Sequence, residues 1–235
     1  MWLFPSVAAL VALVFATLLG RQYSQKRRPY QLVWVIALAM YAVASLALAL
    51  GAAGEWTRGG FQVYWALGAV LNVPFLAAGE VLLLFRRGWV LWACVIALVF
   101  VSAYTTAVLR DSTMSTQALS EQLPSGKEVF GDGTPAHRLA QLVSYPAYFL
   151  LLAGTLWSAW RMRGRPELKD RFVGTLLIAV GATIVAGGAA FAAYGVLAGF
   201  TATLAAGISL MFWGFLRASR HAVAVAPATA QPAPG

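Results

Sequence analysis

The chain has 235 residues, 60% of them hydrophobic and only 11% charged, with a mean hydropathy of +0.74. That mixture excludes an ordinary water-soluble domain and makes a lipid bilayer the chain's main surroundings. A net charge of +9 could suggest nucleic acid, but no basic face on a soluble module exists to bind it, and membrane topology explains the charge better.

A hydrocarbon core about 30 Å thick needs roughly 20 apolar residues at about 1.5 Å rise each. Seven stretches meet that length, near 2–20, 32–53, 61–85, 89–109, 138–160, 172–195 and 197–216, and predict an all-α bundle of seven transmembrane helices. The first lacks the basic n-region of a signal peptide, its positive charges Arg21, Lys26, Arg27 and Arg28 following the apolar run, so it is expected as a retained helix. Under the positive-inside rule those charges place the N-terminus outside and the C-terminus in the cytoplasm. The other loops agree: thirteen of the 17 Lys and Arg fall in inner segments, leaving Arg58, Arg110, Lys127 and Arg138 outside. Seven of the nine tryptophans fall at predicted helix ends, where an amphipathic ring prefers the interface, while Trp65 and Trp213 lie about a turn deeper.

Spans one and two, and spans five and six, are each joined by a basic linker with an Arg-Pro step, Arg28-Pro29 and Arg165-Pro166. A 3+1+3 parallel repeat with the fourth span as inversion linker would produce this match; so would seven helices of one topology with no duplication. Cys94, the lone cysteine, lies inside the fourth span and offers neither a disulfide nor a cysteine metal site. The 110–137 outer loop is the one long connection, with turn signals at Pro124-Ser125-Gly126 and Gly131-Asp132-Gly133. It reads either as a lid over the bundle or as a tether.

In the third span Glu80 is the one charged side chain well inside the apolar run, roughly 9 Å of helical rise from Arg86. An intramembrane carboxylate can bind a cation, relay a proton or contact a ligand amine, with Asn72 two turns away and Pro74 between them. It can equally form a buried anchoring pair with Arg87 or an arginine of another inner loop. The fifth span places His137, Gln141, Ser144, Tyr148, Thr155 and Ser158 at helical spacing, a polar stripe that lines a hydrated path or ties neighbouring helices together, with Pro146 near its centre.

The sixth span sets Gly174, Gly181, Gly188 and Gly195 at seven-residue intervals, a seam that admits a neighbouring helix closely. Gly195 and Gly199 also mark the turn expected between the sixth and seventh spans. In the first span Ala8, Ala12, Ala16 and Gly20 repeat the small-residue idea every four positions. The Ala/Pro-rich tail over 222–235 is expected to be disordered and is given no role.

Several chemistries are set aside. His137 and His221 fall on opposite sides of the membrane, which denies haem or zinc a two-histidine site, and Lys26, Lys127 and Lys169 all fall in loops, away from any retinal Schiff base. No nucleophile elbow, P-loop or dinucleotide fingerprint is present, so no catalytic residue, metal ligand or cofactor is assigned. The runs Tyr64-Trp65-Ala66-Leu67-Gly68 and Leu71-Asn72-Val73-Pro74, with Leu123-Pro124-Ser125-Gly126-Lys127-Glu128, resemble a group of small bacterial seven-helix membrane proteins of uncharacterised activity. The resemblance implies an inner-membrane location and no site residue.

The bilayer is then the expected partner, and the oligomeric state stays open. The expected role is binding or translocating a small molecule within the bundle at Glu80, Asn72, His137, Gln141, Ser144, Tyr148 and Thr155. The alternatives are a sensor or scaffold for a cytoplasmic partner acting through the basic inner loops, and a lipid-modifying enzyme using Glu80 or His137.

Overall fold

Backbone groups in hydrocarbon must find partners within their own segment, and the apolar stretches do so as helices. The computed structural model describes residues 2–54 and 56–224. Among these there is no strand, and seven helices are long and apolar enough to cross a membrane.

They are α1 (Leu3–Lys26), α2 (Pro29–Ala53), a third span made of α3 (Arg58–Tyr64), a π-helical turn (Trp65–Leu71) and α4 (Asn72–Leu84), then α5 (Gly88–Asp111). After a short α6 (Gly126–Phe130) come α7 (Pro135–Met162), α8 (Lys169–Ala193) and α9 (Leu197–Ala224). The helices overrun the apolar stretches by up to two turns, because interfacial polar and basic residues continue a helix that the hydrocarbon has already started. α9 runs through Ala222 to Ala224, three residues assigned to the disordered tail, and 225–235 lie outside the described residues.

Each helix packs on the next in the order α1, α2, α4, α7, α8, α9, and α9 returns to α1, closing a ring of six. The Tyr41 hydroxyl of α2 donates to the Leu204 carbonyl of α9 at 3.0 Å. α5 stands outside the ring against α4 and α7 and buries only Val90, Thr105 and Leu109. Large apolar side chains such as Leu10, Trp92, Phe100, Leu142 and Phe149 point outward, as a lipid-facing surface requires.

The α8–α9 hairpin is the tightest contact. A Cβ on Gly181 would lie 2.6 Å from the Gly207 carbonyl oxygen, and one on Gly207 would lie 2.7 Å from the Gly181 oxygen. Gly174 faces Gly214 in the same reciprocal way, and Gly188 faces Thr203 and Phe200. Gly195 departs from the expected seam: α8 ends at Ala193, and Gly195 takes φ +68° in the turn with open space where a Cβ would go. Its glycine serves the left-handed turn, not helix packing.

The paired Arg-Pro linkers are built differently from each other. Arg27, left-handed at φ 48°, turns α1 directly into α2, whose first residue is Pro29; Pro166 instead opens a 3₁₀ turn, Pro166–Leu168, ahead of α8.

The long connection between α5 and α7 is a docked cap. Leu119, Leu123, Val129 and Phe130 join the main core, and Gly126 lies against the Trp65 ring so closely that a Cβ would overlap it. Ser125 and Glu128 form a reciprocal capping box that starts α6. The Trp56 indole donates to the Gln122 carbonyl at 3.3 Å, and Arg58 to that of Ser112 at 3.0 Å.

Candidate functional site along the α4–α7 seam

Pro74 organises the upper half of this seam. Having no N–H, it cannot bond the carbonyl of residue 70, and its ring crowds that oxygen, so an undisturbed α-helix cannot run through. The chain answers with the π-helical turn Trp65–Leu71, and the Ser144 hydroxyl of α7 reaches the exposed carbonyls, at 2.6 Å from Ala69 O and 3.2 Å from Val70 O. π-Helical turns recur at functional positions in helices. Asn72 does not join this group; its buried amide donates to the Ala37 carbonyl at 2.7 Å and ties α4 to α2.

About two turns further along α4, Glu80 points into α7. It is 3% exposed, and its Oε1 accepts from the Ser158 hydroxyl at 3.3 Å. Gly154 makes room for it, since a Cβ there would stand 2.6 Å from Glu80 Cγ. Among the described residues Glu80 forms no ion pair; the ion pairs there are Lys127–Asp132 and Arg217–Asp170. The expected alternative of an anchoring pair with Arg87 is therefore not formed, and Arg87 lies instead at a cleft between α4, α5 and α7. A carboxylate out of water costs several kcal/mol unless a cation compensates it, and one hydroxyl is a weak substitute.

The rest of the α7 stripe divides among several neighbours. His137, at the capped end, stacks on Trp65 with ring centroids 6.4 Å apart; its Nδ1 is buried without a partner and its Nε2 lies 3.4 Å from the Gln141 amide. The Trp65 indole itself donates to the Ala136 carbonyl at 3.0 Å. Tyr148 turns away from the seam and donates to Thr183 of α8 at 3.0 Å. Thr155 is buried, and its hydroxyl bonds back to the Leu151 carbonyl at 2.9 Å, consuming its donor within α7.

The structure thus brings His137, Ser144 and Ser158 to the third span, with Glu80 opposite Ser158, and leaves Asn72 and Tyr148 on other interfaces. The sequence reading did not single out Gly154, or Gln31 of α2, a 3% exposed residue whose Oε1 has no hydrogen-bond partner. A glycine in the polar stripe was a usable signal for Gly154; nothing local distinguishes Gln31. Among the described residues no group of three or more His, Cys, Asp or Glu could hold a metal ion. Compared with models of known protein families, with curated proteins and with solved structures, the chain matches none of them.

Proposed function

We propose that this protein binds or moves a small cation, the proton being the smallest, at Glu80 in the α4–α7 seam of a seven-span membrane bundle. The observation that carries the reading is a buried carboxyl with one hydroxyl donor and no ion-pair partner among the described residues. A proton or a bound cation then has to supply the compensating charge. The line of polar groups supports a path to it: Trp65 and His137 stand at the capped end, Ser144 bonds the π turn in the middle, and Ser158 meets Glu80. The close fit of Gly154 on Glu80 favours a small species over a bulky solute. The thirteen-to-four division of basic residues supports an N-terminus outside and a C-terminus in the cytoplasm, and the bacterial inner membrane is the location that the sequence resemblance implies.

The test is flux in reconstituted vesicles under an imposed membrane potential, read with an internal pH dye and with alkali-cation indicators. Glu80→Gln keeps the shape and accepts the same hydrogen bond, so it should fold with an unchanged melting midpoint while flux falls to that of empty vesicles. Wild-type flux in that variant, or no flux and no cation-dependent stabilisation in the parent protein, would remove Glu80 from this role.

A further inference from the structure

α5 is pinned to the bundle at two places and hollow between them. Val90 is buried at one end and Thr105 and Leu109 at the other, while Ala93, Cys94 and Ala97 face a cleft of about 900 Å³. Small residues cut the opposite walls as well, Ala77 and Ala78 on α4 and Ala147 on α7. The α5 wall of the cleft runs from Val90 to Val101, roughly 17 Å by helical rise, which matches the ~15 Å of one leaflet's hydrocarbon. Its volume lies within the ~300–1,000 Å³ of sites that enclose small ligands. Walls this apolar offer water no partners, so water is not what fills the space.

The mouth of the cleft differs from its walls. Arg87 lines it directly, Arg86 precedes it, and Phe85 and Trp89 flank it at 56% and 68% exposure. Neither arginine makes an ion pair or a side-chain hydrogen bond among the described residues. Guanidinium groups suit phosphate oxygens through paired N–H donors, and an indole suits the depth where headgroup meets chain. A hydrophobic trough ending in two uncompensated arginines at the end of a membrane span has the length and charge of one lipid chain and its headgroup.

We infer that the α4–α5–α7 cleft is a binding site for an anionic phospholipid, one acyl chain lying between α5 and the bundle and the phosphate held by Arg87 and Arg86. The site lies on the lipid side of α4, away from the face that carries Glu80 to α7, and does not depend on the reading of that carboxyl. A zwitterionic lipid fits the trough equally but gains less from the arginines, so the site selects by charge.

The test is native mass spectrometry of the full chain in mild detergent, titrated with phosphatidylglycerol or phosphatidylcholine of identical chains. Phosphatidylglycerol should bind more tightly, and Arg86→Gln and Arg87→Gln should each weaken it on the order of fivefold, the effect of one basic residue at a lipid surface. Ala97→Phe, which fills the trough and leaves the arginines in place, should displace both lipids. Both arginines are exposed, so their variants carry the test even if Ala97→Phe fails to fold. Equal affinity for the two lipids, retention of phosphatidylglycerol after both arginine changes, or equally effective competition by glycerol phosphate would each overturn the site. So would a lipid-free dimer that dissociates on Ala97→Phe, because a second copy would then occupy the cleft.

Discussion

Gly181→Ala adds one methyl group at the closest approach of α8 and α9. The new Cβ would stand 2.6 Å from the Gly207 carbonyl oxygen, 2.9 Å from the Met211 amide nitrogen and 2.6 Å from Met211 Cγ. The side chain can swing aside, but the two backbone atoms cannot. Restoring an ordinary 3.4 Å contact requires the helices to part by roughly 0.8 Å, which loosens the Gly174–Gly214 approach about 10 Å away as well. Overpacking of this kind costs about 1–3 kcal/mol, of which about 0.4–1 kcal/mol is returned by replacing glycine in a helix. The net loss of roughly 1–2 kcal/mol lowers the melting midpoint by about 2–8 °C for a chain of this size. Gly187→Ala is the control: it is exposed on the same helix with nothing within 4 Å of its Cβ, and should hold or raise the midpoint. Intrinsic tryptophan fluorescence during heating in one detergent, at one scan rate, reads both. Equal midpoints for the two variants would refute the close-packed hairpin.

Ser144→Ala removes the hydroxyl from the Ala69 and Val70 carbonyls, and Pro74, with no N–H, cannot give Val70 an α-helical partner in its place; a loss of about 1–3 kcal/mol is expected in the same melting assay. Gly126→Val forces α6 off the Trp65 ring and should make the 112–134 segment a substrate for added protease while the seven spans stay resistant. Glu128 is held below the usual glutamate range, chiefly by the Ser125 hydroxyl and then by the Ser125 amide. Its contribution is therefore complete above the ordinary value of about 4.3 and disappears as pH falls through the lower folded value. Exchange of the α6 amides, corrected for the intrinsic pH effect, should accelerate slightly in that acid window, slightly because the carboxylate is exposed to solvent. Glu128→Gln, which can still close the capping box, should abolish that acceleration.

The number of spans and their approximate ends were readable because a bilayer imposes one length on every helix. Gly174, Gly181 and Gly188 were readable for a similar reason: a seven-residue period keeps one face toward one neighbour. Gly195 continues the arithmetic but not the helix, and only the φ of the turn separates it from the others. The π turn was not legible, because a proline inside a span can be absorbed by a kink, by a wider turn or by a borrowed hydroxyl. The choice at Pro74 rests on Ser144, seventy residues on. The α7 stripe was legible as a polar face, but not which neighbour each member would meet. At about 100° per residue the members from His137 to Ser158 share one broad face, and that face is wide enough for Ser144 to meet the π turn, Tyr148 α8 and Ser158 α4. Whether the long connection was lid or tether depended on Trp65 fitting against Gly126, a contact that no local pattern announces.

These contacts divide the bundle into two mechanical halves. On one side, α8 and α9 meet backbone to backbone at two reciprocal glycine pairs, where any relative displacement must break many contacts together. On the other, the third span is interrupted by a π turn, α7 carries Pro146 within its length, and α5 buries residues fully only toward its ends. Glu80 lies on this second side, closed over by Gly154 with no space for an added methyl group. On the proposed reading, a cation larger than a proton would reach the carboxyl only as α7 and α4 separate, and the elements built to yield are the ones bordering the lipid-facing cleft. A chain of lipid seated in that cleft would press on α4 and α7 from outside and resist their parting. On the two proposals together, occupancy of the cleft would oppose access to Glu80 through the same two helices, and the flux assay repeated in vesicles with and without phosphatidylglycerol tests it: equal flux in both would refute the link.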